Sequence, residues 1–289
     1  MIRINKTLKS YSKINLFLSV GKKIKGSHLH NIQSLVFLIN IYDKIKIQKN
    51  NQLKKDEVKF YGKFSSFIKK KNNSISKSFN LLRRRGYIKE DNFYKVSVYK
   101  KIPVFSGLGG GSSNSAVIAK FFLKKPINLK KNINYFSKHL GSDFKLFFKG
   151  EQIFQSNLNK IEKCLKKTRF YFIIVYPFIK SSTKEIYSKL KRFKKIKNKK
   201  VYITNSKKIV LRNLKKEENM LETIVVNKYP VIRKILKNLS LLNGCEFSRV
   251  TGSGSACFGL FLTKKMADKG LKKIKKKFPK YWCVTGKTI

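Results

Sequence analysis

Residues 107–113 read Gly-Leu-Gly-Gly-Gly-Ser-Ser, and Ala116, Val117, Ala119 and Phe121 follow directly as the start of a helix's buried face. Four glycines in five positions let the backbone enter positive φ and leave no side chain between its N–H groups and a ligand. Ser112 and Ser113 stand where the helix begins. A glycine loop feeding a helix N-terminus binds anions, because the first amides have no intrahelical acceptor and the dipole favours negative charge. The stretch reads as a phosphate cradle; the alternative is a glycine-rich turn with a serine N-cap.

Two common phosphate motifs are excluded. The Walker loop needs Gly-Lys-Ser/Thr after four intervening residues, and no lysine lies within 107–113. The Gly286-Lys287-Thr288 triplet has Tyr281 at the first glycine position and no room for a following helix. The dinucleotide fingerprint fails because Ser112 stands at its third glycine.

A length of 289 residues fits one or two domains, and a 42% hydrophobic content is enough for real cores. The formal net charge of +54 points first to nucleic acid or an anionic surface. The cations, however, are 59 lysines and only 9 arginines, spread through every segment. Base-reading interfaces favour arginine. With Asn, Ile, Phe and Tyr also abundant, the charge reads as compositional drift on solvated faces, with no specific nucleic-acid partner. Five aspartates remain: Asp43, Asp56, Asp91, Asp143 and Asp268. Against that background, one kept in an apolar context is a stronger site candidate than usual.

Cys164, Cys245, Cys257 and Cys283 are far apart and form no C-x-x-C pair, so neither zinc nor a disulfide framework is expected. Cys257 and Cys283 lie in apolar, strand-like runs and read as core. Charges interrupt the N-terminal apolar residues, and the longest apolar run, 170–178, is about half a membrane span. A cytoplasmic, reduced protein without a membrane partner is expected.

Periodicity predicts strands over 11–20, 32–48 (one or two), 94–101, 144–148, 170–176, 246–250, 256–263 and 281–285. Helices are predicted over 73–85, 112–123, 129–140, 182–193, 216–227 and 230–241, with a lysine-rich one before the last strand and a loop over 194–208. Strands and helices mix without strict alternation, so the class is α+β. The boundary is expected between 150 and 168, giving domains 1–160 and 161–289.

Five constellations carry chemistry, each with an ordinary structural reading beside it. Lys13-Ile14-Asn15 opens an alternating strand, where a solvated lysine is the default. Gly26-Ser27-His28 holds one of three histidines. The third is the 107–113 loop. Gly141-Ser142-Asp143-Phe144 brings an aspartate into an apolar run after a helix, equally a turn aspartate. Thr251-Gly252-Ser253-Gly254-Ser255 is a second glycine turn, equally a hairpin.

In order and spacing these five resemble the GHMP kinase superfamily, whose motifs run lysine-bearing N-terminal strand, glycine-serine loop and glycine-rich C-terminal turn. The match is to its branch acting on 4-diphosphocytidyl-2-C-methyl-D-erythritol. Ser12-Lys13-Ile14-Asn15-Leu16-Phe17-Leu18 resembles that branch's Ala-Lys-Ile-Asn-Leu-x-Leu. Lys101-Ile102-Pro103 through Gly107–Asn114 resembles its second motif, and Gly141-Ser142-Asp143 its Gly-Ala/Ser-Asp. Pro177 with Thr183 and Tyr187, then Asn219-Met220-Leu221-Glu222 with Tyr229-Pro230, and Thr251–Phe258 match in order.

The resemblance implies a ribosomal-protein-S5-like α/β domain followed by a ferredoxin-like α+β domain. It also implies ATP- and Mg²⁺-dependent phosphorylation of the 2-hydroxyl of the cytidine-diphosphate-linked methylerythritol, in non-mevalonate isoprenoid synthesis, by a monomer or homodimer. Asp143 would be the base, with Lys13 beside it. Pro103, Gly107, Leu108, Gly109, Gly110, Gly111, Ser112 and Ser113 would hold the ATP phosphates, Ser112 or Ser113 near the metal, and Asn73 would lie near adenosine. Asn15, His28, Thr183, Tyr187, Gly252, Ser253 and Gly254 would meet the substrate, His28 on the cytosine edge and Tyr187 on its face.

Three motifs depart from the pattern. Ser27 stands where the family has an aromatic, Met220 replaces an aspartate, and Asn157-Leu158-Asn159-Lys160 replaces a Gly-x-Gly-Glu turn, with asparagine expected to take the positive φ. The competing readings are a homoserine- or mevalonate-type kinase and a polyanion-binding relic of the fold.

Overall fold

A computed structural model describes residues 5–26, 29–50, 52–69, 72–123, 128–196 and 201–289. The chain runs β1 (Asn5–Asn15), β2 (Ser19–Lys23), β3 (His30–Lys49), β4 (Glu57–Tyr61), α1 (Ser74–Arg84), β5 (Tyr94–Tyr99), α2 (Gly110–Phe122) and α3 (Leu129–Leu140). A 3₁₀ turn (Ser142–Lys145), α4 (Leu146–Lys149), β6 (Gln152–Gln155), β7 (Ile161–Lys163) and β8 (Tyr171–Tyr176) follow. The rest is α5 (Thr183–Ser188), α6 (Val201–Thr204), α7 (Lys207–Lys215), α8 (Glu222–Lys228), α9 (Val231–Ser240), β9 (Cys245–Val250), β10 (Cys257–Phe261), α10 (Lys264–Lys277) and β11 (Trp282–Lys287). The α+β class is as expected. No helix among the described residues is long and apolar enough to cross a membrane.

The chain forms two compact units that interleave along the sequence, where the sequence reading drew one boundary at 160. The first holds Met1–Ser12, Ile41–Val104 and Gly109–Phe148, and the second Lys13–Asn40, Phe105–Leu108 and Lys149–Ile289.

In the first unit β5 alternates as its sequence dictates: Tyr94, Val96 and Val98 are buried and Lys95 and Tyr99 exposed. It pairs parallel with β4 and antiparallel with residues 44–49 of β3. Helices α1, α2 and α3 pack together, α1 through Ile75, Phe79 and Leu82 at helical spacing. The rings of Phe79, Tyr94 and Phe122 meet edge-on or tilted at 5.2–5.6 Å.

In the second unit the antiparallel sheet β11-β8-β10-β9 has β8 inside, and Phe172, Ile173, Ile174 and Val175 are fully buried. That accounts for an unbroken apolar run rather than an alternating one. Ile232, Ile235 and Leu239 of α9 and Ala267 and Ile274 of α10 pack in one cluster with Ile173, Val175, Cys257 and Cys283. Gly270 lets α10 approach: a Cβ there would lie 2.8 Å from Ile173 Cδ1.

Several elements differ from the sequence reading. Residues 144–148 are not a strand but the end of the 3₁₀ turn and α4. A five-residue apolar run has no period long enough to separate the two, and Phe144, Leu146 and Phe147 are buried either way. The alternating run 11–20 breaks between β1 and β2, where Leu16 N–H donates to Leu35 C=O at 2.8 Å and Leu18 N–H to Glu218 C=O at 3.1 Å. The helix at 182 stops at Ser188. The 194–208 stretch contains α6 and the start of α7, and 216–221 is a turn, with α8 beginning only at Glu222.

Candidate active site

In the first unit, Gly109 takes the left-handed backbone (φ 71°) that turns the chain into α2. The first bond of the helix is Ser113 N–H to Gly109 C=O, 2.9 Å. The amides of Gly110, Gly111 and Ser112 thus precede any intrahelical acceptor, and neither a capping side chain nor an acidic residue serves this end of α2. The two serines differ. Ser113 is buried, with Ser10 Oγ 2.7 Å from its hydroxyl, whereas Ser112 is only half-buried.

Asp143 is half-buried on the 3₁₀ turn, between the left-handed Gly141 (φ 100°) and the fully buried Phe144, and this turn packs on α2. Burial holds Lys120 of α2 and Lys145, two residues past Asp143, below the usual lysine range; Lys138 adds to the effect on Lys145. Pro103 is buried. Asn73 caps α1, its Oδ1 accepting from Ile75 N–H (3.1 Å) and Ser76 N–H (3.0 Å).

In the second unit, Lys13, Asn15, Gly107 and Gly252 converge. A Cβ on Gly252 would lie 3.2 Å from Lys13 Nζ, 3.3 Å from Gly107 C=O and 3.4 Å from Asn15 Oδ1. Lys13, only 3% exposed, donates from Nζ to Asn15 Oδ1 and from its backbone N–H to Leu108 C=O at 3.0 Å. Asn15 is held from both ends: its N–H donates to Thr251 Oγ1 (3.0 Å) and its Nδ2 to Ser34 Oγ (2.8 Å). Gly107 has φ 78°, and a Cβ there would lie 2.2 Å from Thr251 C=O, so only glycine fits against the 251–255 turn.

Thr183 and Ser253 share a 2.8 Å hydroxyl–hydroxyl bond, and Ser181 Oγ donates to Ser253 C=O at 2.7 Å. These residues, with Phe105, Gly107, Lys180 and Gly254, line a cleft of about 370 Å³. Tyr187 faces the His30 ring at 5.7 Å, and His30 stacks on Phe193 at 5.2 Å. His30 Nδ1–H donates to Gly21 C=O at 3.2 Å. Ser27 and His28 lie outside the described residues.

The turn at 251–255 rests on residues to which sequence reading gave no role. Asn219 Nδ2 donates to both Val250 C=O and Gly252 C=O at 2.8 Å, and its Oδ1 accepts from Leu221 N–H at 3.0 Å. Glu222 accepts from Val250 N–H at 2.7 Å. Arg249 donates to the carbonyls of Leu16, Leu214 and Glu217. Burial pushes the Glu222 carboxyl above and the Arg249 guanidinium below their usual ranges, each opposed by the other's charge. Met220, where the family pattern has an aspartate, accepts at Sδ from Val20 N–H at 3.1 Å.

The family model described as GHMP kinases C terminal matches residues 206–280. A 4-diphosphocytidyl-2-C-methyl-D-erythritol kinase from Pelagibacter ubique (strain HTCC1062) is 38% identical over 285 residues, 98% of both chains. The chain belongs to the 4-diphosphocytidyl-2-C-methyl-D-erythritol kinase family. A family member from Anaplasma marginale (strain Florida) is 30% identical across 94% of this chain and 93% of its own. The fold is shared with a crystal structure of 4-(cytidine 5'-diphospho)-2C-methyl-D-erythritol kinase at TM-score 0.73, with 20% identity over 97% of this chain and 99% of that one. A homoserine kinase from Cytophaga hutchinsonii ATCC 33406 follows at TM-score 0.69 and 15% identity, over 98% and 94%. The family model and the shared fold bear out for this chain the two-domain GHMP kinase fold expected from the motifs.

Against the family's Gly-x-Gly-Glu, the turn at 157–160 forms without left-handed backbone at either asparagine. Asn157 Oδ1 instead accepts from Asn159 N–H (2.9 Å) and Lys160 N–H (2.8 Å), an Asx turn built by the side chain.

Proposed function

We propose that this chain transfers the γ-phosphoryl group of ATP to the 2-hydroxyl of 4-diphosphocytidyl-2-C-methyl-D-erythritol. The observation that carries the reading is the convergence of Lys13 Nζ, Asn15 Oδ1 and the Gly107 carbonyl at Gly252, in a chain 38% identical to a kinase of that name over 98% of both.

Phosphoryl transfer asks a protein mainly for positioning and charge stabilisation. The amides of Gly110, Gly111 and Ser112 would hold phosphate oxygens at the start of α2, with Pro103, Gly107, Leu108 and Gly109 shaping the approach and Asn73 near adenosine. Asp143 would accept the hydroxyl proton, a role contributing on the order of 10²–10⁴ in rate. Lys13, oriented by Asn15, would stabilise the negative charge that develops as the proton leaves. Thr183, Ser253, Gly252 and Gly254 would border the methylerythritol. Tyr187 would give one face to cytosine and His28 would bond its edge.

Among the described residues no group of three His, Cys, Asp or Glu could hold a metal. Mg²⁺ would therefore enter with the phosphates, where it neutralises charge, and Ser112, the less buried of the two serines, is the hydroxyl that fits it.

Asp143→Asn tests the reading. ADP release that depends on the cytidyl alcohol should fall about 10²-fold or more while ADP affinity holds. Undiminished turnover would remove Asp143 from the reaction.

A further inference from the structure

The role of the phosphate loop leaves unused the most deeply buried ion pair among the described residues, Lys100 with Asp43, whose side chains are 3% and 0% exposed. Asp43 lies in β3, and Lys100 immediately follows β5. Asp43 Oδ1 accepts from Lys101 N–H (2.8 Å) and Ile102 N–H (2.9 Å), while Oδ2 takes the Lys100 ammonium. One carboxylate thus fixes the chain that leads into the glycine loop.

Lys100, and Ile102 whose amide Asp43 holds, both reach α2. A Cβ on Gly110 would lie 3.0 Å from Ile102 Cγ2 and 3.4 Å from Lys100 Nζ. The ammonium therefore sits under the first turn of the helix. A cation there opposes the helix dipole, and burying two charges costs stability that an apolar pair would not. Neither cost serves the helix. Both serve an anion bound at its N-terminus, because the ammonium and the three leading amides reinforce one positive potential. Among the described residues Asp43 takes one of the ammonium's three donors.

We propose that Lys100 and Asp43 are positioning residues for the nucleotide phosphates. Asp43 holds the ammonium and the 101–102 backbone. Ile102 then sets the height of the Gly110 turn, and the ammonium strengthens the loop's pull on phosphate. The inference rests on the phosphate-loop reading above. It sharpens it by making nucleotide affinity depend on two residues behind the loop.

The test compares ADP with adenosine by titration calorimetry, in the wild type and in Asp43→Asn/Lys100→Met, which removes both charges and leaves neither buried alone. The wild type should prefer ADP strongly. The neutral pair should lose about tenfold or more of ADP affinity, as expected when charge-assisted donors are withdrawn, with adenosine affinity and the alcohol's KM within twofold. A merely structural pair would lower the melting temperature and leave the ADP-to-adenosine ratio unchanged. The ratio is read on the binding-competent fraction, so partial unfolding does not mask it. Lys100→Arg, which keeps the charge, should restore the ratio to within about threefold. A wild-type ratio in the neutral pair, or an Arg variant as weak as the neutral pair, overturns the proposal. A wild type with no preference for ADP would instead overturn the phosphate loop itself.

Discussion

Gly111→Ala should stabilise this protein and weaken its hold on ATP. Gly111 lies in the first turn of α2, is exposed, and has no left-handed backbone to protect. A Cβ there would meet only Ser74 Oγ, at 4.0 Å. Nothing inside the fold therefore requires glycine at this position. Alanine in a helix is favoured over glycine by roughly 0.5–1 kcal/mol, which for a chain of this size raises the melting temperature by about 1–4 °C. The same methyl would stand over amides proposed to bind phosphate. Losing one or two charge-assisted bonds there costs about 1.5–3 kcal/mol, a 10- to 100-fold rise in the KM for ATP. Differential scanning calorimetry and a coupled ADP-release assay read the two signs separately. An alanine variant that is more stable and binds ATP as the wild type does would refute the idea that glycine is kept at 111 for a ligand.

Gly107→Ala acts oppositely on the fold. Its Cβ must retreat from 2.2 Å to beyond 3.0 Å from Thr251 C=O, so kcat/KM should fall about 10²-fold, with stability down about 1–2 kcal/mol from the left-handed alanine alone; steady-state kinetics and thermal melts check both. Asn219→Ala strips three hydrogen bonds from a residue only 3% exposed and should cost about 2–4 kcal/mol, read by urea unfolding. All four thiols should resist labelling at pH 8. Burial pushes Cys164 up to about 12 and Cys245 and Cys283 to about 11, and holds Cys257 well above 9.0. Less thiolate is then present than on a free cysteine, about 10²-fold less at a pKa near 11, and native labelling as fast as in denaturant would contradict this.

What the sequence made legible follows a physical line. The glycine loop, Lys13-Ile14-Asn15 and the 251–255 turn could be read because backbone chemistry dictates their residue types: Gly107 must admit Thr251 C=O, and Gly252 must admit Lys13. β5 was legible because one of its faces is buried and the other exposed. Residues 144–148 misread because both faces of a short apolar run are covered, which removes any period. Supporting residues left fainter signals. Asp43 stands in Ile41-Tyr42-Asp43-Lys44-Ile45, an acidic side chain inside an apolar strand, which is a visible clue. His30 and Phe193 carry none, since their partners are 9 to 163 residues away in the chain and only the fold brings them together; Asn219 is visible only as part of the 219–222 match, which does not reveal its carbonyl partners at 250 and 252.

The most direct test of the central claim is turnover. Purified wild-type protein with ATP and Mg²⁺ should release ADP on adding 4-diphosphocytidyl-2-C-methyl-D-erythritol, with kcat/KM at least about 10²-fold above that for homoserine or mevalonate. Phosphorus NMR should place the new phosphoryl group on the 2-hydroxyl. Turnover that prefers either small alcohol, or none with the cytidyl substrate, would contradict the account.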